Sequence, residues 1–174
     1  RHYRTIWLES DGWAVRIIDQ TKLPHGFETL RLEFLDDAAH AIRAMRVRGA
    51  PLIGAAAAYG LCLALRDDPS DAALDEARAT LLATRPTAVD LRWALEDMAT
   101  RLRSLPTGER VAAAYARAAA ICEESVATCE AIGAHGLPLI QAAAEAKGGA
   151  RVNILTHCNA GWLATVDWGT ALAP

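Results

Sequence analysis

The chain opens on two short runs rich in aromatic and β-branched residues, Thr5 to Glu9 and Trp13 to Asp19, around Ser10-Asp11-Gly12. This pattern predicts a β-hairpin, with the Asp-Gly pair supplying the positive backbone dihedrals of a tight turn. Lys22 to Gly26, with Pro24, reads as a turn, and Phe27 to Phe34 as a further short strand. The period then becomes helical. Asp36 and Asp37 are expected to cap and charge a helix reaching about Met45. RVRGAP (Arg46 to Pro51) is a loop, with Gly49 as breaker and Pro51 in the first turn of the next helix. That helix, PLIGAAAAYGLCLAL, is apolar on nearly every face and is expected to be buried. Ser70 N-caps an amphipathic helix ending near Thr84. RPT (Arg85 to Thr87) is a loop, and a helix runs from Ala88 to about Leu105. Glu109 to Lys147 is helical in pattern, with breaks or bends expected at Gly133, Gly136 and Pro138.

After Gly148-Gly149 the pattern changes again. Arg151 to Thr156 reads as a short apolar strand, followed by the loop HCNAG and then, from Ala160 to Ala173, a helix or extended segment. A lone apolar strand needs sheet neighbours for its backbone groups, and no later strand is visible. The expected fold is mainly α with a small N-terminal β-unit, leading into the first strand of an α/β Rossmann-like domain that is mostly absent from the chain. Residues 1–148 would form the hairpin and helical domain, and 149–174 the start of the next. A first residue other than Met suggests further residues ahead of Arg1.

With 174 residues, 52% hydrophobic and 22% charged, the chain can bury an ordinary core. The net charge of −3 provides no overall positive field for nucleic acid or an anionic membrane. The apolar run from Ala50 to Leu65 is shorter than a membrane span requires, and RHYRTIWLES lacks the h-region of a signal peptide. Cys62, Cys122, Cys129 and Cys158 have neither disulfide-framework nor zinc spacing, which fits reduced thiols in a cytoplasmic protein. Cys122 and Cys129, a heptad apart, read as buried small hydrophobes. Nothing in the sequence calls for a metal or an organic cofactor.

Three stretches could carry chemistry. In RVRGAPLIG, an arginine, a glycine and the start of a buried helix bring backbone N–H groups, a positive dipole end and a guanidinium together, which suits a phosphate or carboxylate. A plain helix start with Arg46 and Arg48 solvated is the alternative. In TRPTAVDLRWAL, Arg85 precedes a helix and either adds to an anion site or caps the helix before it; Arg92 and Asp97 read as solvated surface. In THCNAG, Cys158 lies at the carboxyl end of the expected strand and ahead of a helix, where ligand sites of open α/β sheets lie and a thiolate is favoured. A buried cysteine beside a satisfied histidine is the alternative. His157 would point away from its neighbour on an extended backbone. His135 reads as structural, and His2, His25 and His40 belong to no constellation. Trp162 and Trp168 either wall a pocket or fill a core.

Taken together, RVRGAPLIGAAAAYGL, TRPTAVDLRWAL, IGAHGLPLI and ILTHCNAGWLATVDWGTAL resemble the methylthioribose-1-phosphate isomerases. These belong to a superfamily that includes the regulatory subunits of the translation initiation factor exchange complex. The resemblance implies an aldose–ketose isomerase of methionine salvage, usually a homodimer, with Cys158 catalytic and Arg48, Gly49, Ala50 and Arg85 binding the sugar phosphate. It also implies a second catalytic group, an aspartate, in the C-terminal remainder of the protein. Asp90, Cys129, Trp162 and Val166-Asp167-Trp168 depart from the usual pattern. The rival readings are a ribose-1,5-bisphosphate isomerase and a non-catalytic regulatory subunit.

Overall fold

The computed structural model describes residues 2–174. A three-stranded antiparallel sheet in the order β1-β2-β3 comprises β1 (Ile6–Leu8), β2 (Val15–Ile18) and β3 (Thr29–Leu32). Leu8 pairs with Val15, and Val15 in turn with Leu32. The β1–β2 turn is wider than the sequence suggests. Gly12 supplies the positive φ (80°), whereas Asp11 contributes its carboxylate, which accepts the N–H groups of Trp13 and Ala14 at 3.0 Å. Trp13 fastens this end of the sheet to the helices: the Arg66 guanidinium lies 3.6 Å from its ring centre, and Tyr115 Oη donates to its carbonyl at 2.8 Å.

Five helices follow: α1 (Leu35–Arg43), α2 (Ala50–Asp67), α3 (Asp71–Leu82), α4 (Val89–Arg103) and α5 (Thr107–Ala146). Asp37 lies in the first turn of α1 rather than at its cap, and its carboxylate accepts the N–H groups of Glu33 and Phe34. Ser70 caps α3 as expected, accepting the Ala73 N–H at 3.2 Å. The nearly all-apolar α2 is the axis of the core, packed against by α1, α3, α4 and α5. Its small residues set the spacing: a Cβ on Gly60 would lie 3.0 Å from Leu81 and 3.1 Å from Ala38. None of the helices is long and apolar enough to cross a membrane, among the described residues.

Three expectations are corrected. First, α5 is one unbroken helix through Gly133, Gly136 and Pro138. Pro138 forfeits one intrahelical hydrogen bond, while the two glycines serve as clearance. A Cβ on Gly133 would lie 2.9 Å from the Ala173 carbonyl, and one on Gly136 would lie 2.4 Å from Pro174. Second, residues 151–156 form no strand; Ile154 and Leu155 are exposed, Leu155 at 98%. An extended segment without a neighbouring strand leaves its backbone to water, and no described strand lies beside it. Third, the stretch after HCNAG is a single 3₁₀ turn (Trp162–Ala164) followed by bends.

Asp97 is not free helix surface. Arg117 Nε donates to it from α5 at 2.6 Å and Arg101 Nε at 3.0 Å, joining α4 to α5. Burial works against its charge, but the bonds from Arg117 and Arg101 outweigh that and hold the carboxyl below the usual carboxylate range. A depressed folded pKa contributes stability above the unfolded value of about 3.9 and loses it as pH falls through the folded value. Asp97→Asn should therefore cost about 1 kcal/mol at pH 7, with the difference between the two proteins in urea melts shrinking as the pH falls below the ordinary carboxylate range.

Candidate functional site

The site is built around the start of α2. Gly49 is its N-cap, with φ 96° and ψ 138°. A Cβ at Gly49 would lie 2.2 Å from the Ala164 carbonyl oxygen and 2.4 Å from its Cα. Glycine is needed there twice, for its backbone angle and for the space. The 3₁₀ turn that follows Cys158 is thereby seated against the RGA stretch. The first-turn N–H groups of α2 have no intrahelical acceptor, and the helix dipole is positive at this end.

The turn is held from several sides. Thr5 N–H donates to the Val166 carbonyl at 3.1 Å, and Thr5 Oγ1 to that of Thr165 at 2.6 Å. Gln20 Nε2 donates to Leu163 O at 2.6 Å, while Gln20 N–H donates to Arg46 O at 3.0 Å. One glutamine thus bridges the loop before α2 and the turn after Cys158. Thr165, fully buried, donates its hydroxyl to Asp167 O at 2.8 Å and accepts the Gly169 N–H at 3.2 Å. Asp167, 8% exposed, lies 2.7 Å from His2 Nε2 and accepts the Trp168 N–H at 2.8 Å. His2 therefore does belong to a constellation. The sequence reading passed over Thr5, Gln20 and Thr165. Two polar residues inside the apolar run LATVDW are the signal that could have marked the last.

The third stretch arrives through α4. A Cβ on Gly54 would lie 3.0 Å from the Asp90 carbonyl, so the start of α4 rests on the first turns of α2. A cleft of about 270 Å³ is lined by Pro51 and Gly54 of α2, Asp90 and Trp93 of α4, Cys129 of α5, and Thr170. The RGAP, RPTAVD, α5 and GTAL stretches thus converge.

The predicted residues fall as follows. Arg48 and Ala50 are exposed, Gly49 and Arg85 half-buried, all within or just before the α2 and α4 starts. Cys158 is exposed and has a left-handed φ of 70°. Neither it nor Arg48 nor Arg85 lines the cleft. His135 is exposed on α5, not structural. Among the described residues no group of three His, Cys, Asp or Glu side chains is placed to hold a metal ion.

The profile of the Initiation factor 2 subunit family matches residues 46–168. The chain belongs to that family. Among curated relatives, the methylthioribose-1-phosphate isomerase of Methylorubrum populi is 63% identical over 100% of this chain and 47% of its own length. That of Rhodospirillum rubrum is 62% identical over 98% of this chain and 45% of its own. The chain thus spans about half the length of the curated relatives it matches. Two solved structures share the fold: a 5-methylthioribose 1-phosphate isomerase from Pyrococcus horikoshii, and the translation initiation factor eIF-2B subunit delta from A. fulgidus. The first has a TM-score of 0.81 at 34% identity, covering 99% of this chain and 48% of its own. The second has a TM-score of 0.80 at 35% identity, covering 98% and 49%. The family thus holds this scaffold under both an enzyme and a translation factor.

The four thiols of this family member divide sharply. Burial pushes Cys122 up to about 12 and Cys62 well above the ordinary thiol range, and it raises Cys129. At pH 8, a maleimide or disulfide reagent should label Cys158 at least about tenfold faster than the other three, which should react only on unfolding; mass spectrometry of the digest reads this directly. Gly49→Ala should destabilise the chain by about 1–3 kcal/mol through backbone strain alone, more with the clash against Ala164, as measured by denaturant unfolding.

Proposed function

We propose that the full-length protein is an aldose–ketose isomerase converting 5-methylthioribose 1-phosphate into 5-methylthioribulose 1-phosphate, in methionine salvage. The observation that carries this is identity above 60% to relatives bearing that name across the whole chain. The convergence of the motif-bearing stretches at the start of α2 supports it.

The substrate sets the chemistry. Its anomeric carbon carries phosphate, so the ring does not open as a free sugar does. The catalyst must protonate the ring oxygen or otherwise break that bond, then move hydrogen from C2 to C1, as a proton through an enolate-like species or as a hydride. Either route needs a group that handles protons at the sugar oxygens in a place shielded from water. Arg48 and Arg85, with the amides of Gly49 and Ala50, hold the phosphate at the positive end of α2. Cys158 is the acid/base or transition-state-stabilising group, with an aspartate from the rest of the protein as its partner. Residues 1–148 form the hairpin and helical domain, and 149–174 begin the Rossmann-like one, in a cytoplasmic homodimer.

A second reading, a regulatory subunit that binds sugar phosphates or nucleotides without turnover, is favoured by one observation, the equal likeness to the eIF-2B delta subunit. Cys158→Ser decides the catalytic assignment. In the full-length protein it should lower kcat by about a hundredfold or more with unchanged circular dichroism. Near-normal turnover would remove Cys158 from the mechanism.

A further inference from the structure

Gln20 holds its two partners in different ways. Its backbone N–H donates to Arg46 O at 3.0 Å, in the loop that leads to Gly49. Its side-chain amide donates to Leu163 O at 2.6 Å, in the 3₁₀ turn after Cys158. The first bond is open to any residue but proline at this position. The second needs a side-chain donor of this length.

The corner that carries Gln20 is itself fixed. Just past the end of β2, Asp19 N–H donates to Glu28 O at 2.9 Å, and Lys22 N–H donates back to Asp19 O at 3.2 Å. The buried Asp19 carboxylate accepts the Thr21 N–H at 3.0 Å and the Thr21 hydroxyl at 2.6 Å, both on Oδ1. Its Oδ2 lies 3.8 Å from Arg46 Nε, a second link from the corner to the loop before α2.

The turn uses what Gln20 supplies. A single 3₁₀ turn leaves its last carbonyls without donors of its own. Leu163 O accepts from the Gln20 amide, while Thr165 O and Val166 O accept from the Thr5 hydroxyl and N–H. Thr5 ties the turn to the sheet, since its carbonyl accepts the Ile18 N–H at 3.0 Å. Gln20 ties it to the loop before α2. Arg48, Gly49 and Ala50 follow Arg46 within four residues, and Cys158 lies five residues before Leu163. On the isomerase reading, phosphate binding stands at one end of this strut and proton handling at the other.

We propose that Gln20 is a positioning residue for the isomerisation, its amide fixing the segment that follows Cys158 relative to the phosphate-binding start of α2; the proposal rests on the isomerase reading above. Because the backbone bond to Arg46 survives substitution, loss of the amide releases the cysteine side and spares the phosphate side. The sugar, still bound by its phosphate, then meets a misplaced catalytic group. That costs turnover rather than binding.

The test measures kcat and KM for 5-methylthioribose 1-phosphate in the full-length protein as wild type, Gln20→Met and Gln20→Glu. Methionine fills a similar space and has no hydrogen to donate. Gln20→Met should lower kcat by about tenfold to a hundredfold, with KM within about threefold and unchanged circular dichroism. Glutamate keeps the shape and donates only when protonated. At about pH 8 it should be as impaired as methionine. A bond to Leu163 O favours its neutral form and raises its pKa above the ordinary value of about 4.3. Its kcat relative to wild type should therefore recover at least about threefold by pH 5.5. This ratio decides alone if Gln20→Met does not fold. A KM rise with kcat unchanged, wild-type kinetics in Gln20→Met, or a Gln20→Glu ratio that stays flat with pH would overturn the proposal and leave the isomerase reading standing. A wild type that does not convert the sugar removes the isomerase reading and the proposal with it.

Discussion

The contact between Gly49 and Ala164 is the constraint on which the rest of the site depends. It permits backbone to touch backbone at the positive end of a buried helix, with no side chain between them. The 3₁₀ turn that follows Cys158 abuts the start of α2 through that contact. Thr5, Gln20 and Thr165 add hydrogen bonds that hold the turn from the sheet, the loop before α2 and its own interior. Val166 seals it by entering the hydrophobic core, fully buried. A stretch with only one turn of regular structure is thus ordered by packing rather than by secondary structure.

This arrangement divides labour between rigid and adaptable parts. Helix α2 is buried from Leu52 to Leu65 apart from Ala64, and at about 25 cal/mol per Å² of apolar surface removed from water it anchors the domain. Its N-terminus is therefore a fixed electrostatic feature. Cys158, exposed and with a left-handed φ, precedes the turn that abuts it. On the proposed isomerase reading, anion recognition falls to the rigid element and proton handling to the loop, which suits a sugar phosphate whose charged end must be fixed while its ring is opened.

Much of this was legible in the sequence where one local rule decided the outcome. The all-apolar α2, the Ser70 cap, the loop glycine before Pro51 and the hairpin each follow from a pattern read within about ten residues. The failures share a different cause. Gly133 and Gly136 read as points where the helix breaks or bends; that it runs on unbroken and that they give clearance to Ala173 and Pro174 depends on contacts with residues some forty positions away. Residues 151–156 read as a strand because composition is local, but pairing is not. Asp97 and His2 looked idle because Arg117 and Asp167, their partners, come from other elements. The stretches RGAP, RPTAV and THCNAG could be named as candidates one by one; that Pro51 of the first and Asp90, just after the second, border one cleft with Thr170 of GTAL, and that the turn after THCNAG seats on Gly49, required the tertiary structure.

The central claim is that this scaffold serves sugar-phosphate isomerisation, with an apolar rather than an anionic group at the sugar's 5-position. The most direct measurement is product formation by the full-length protein on 5-methylthioribose 1-phosphate and on ribose 1,5-bisphosphate, side by side. The expected result is ketose formation from the methylthio substrate with kcat/KM at least about a hundredfold higher than for the bisphosphate. Preference for the bisphosphate, or tight binding of either sugar without conversion, would contradict it.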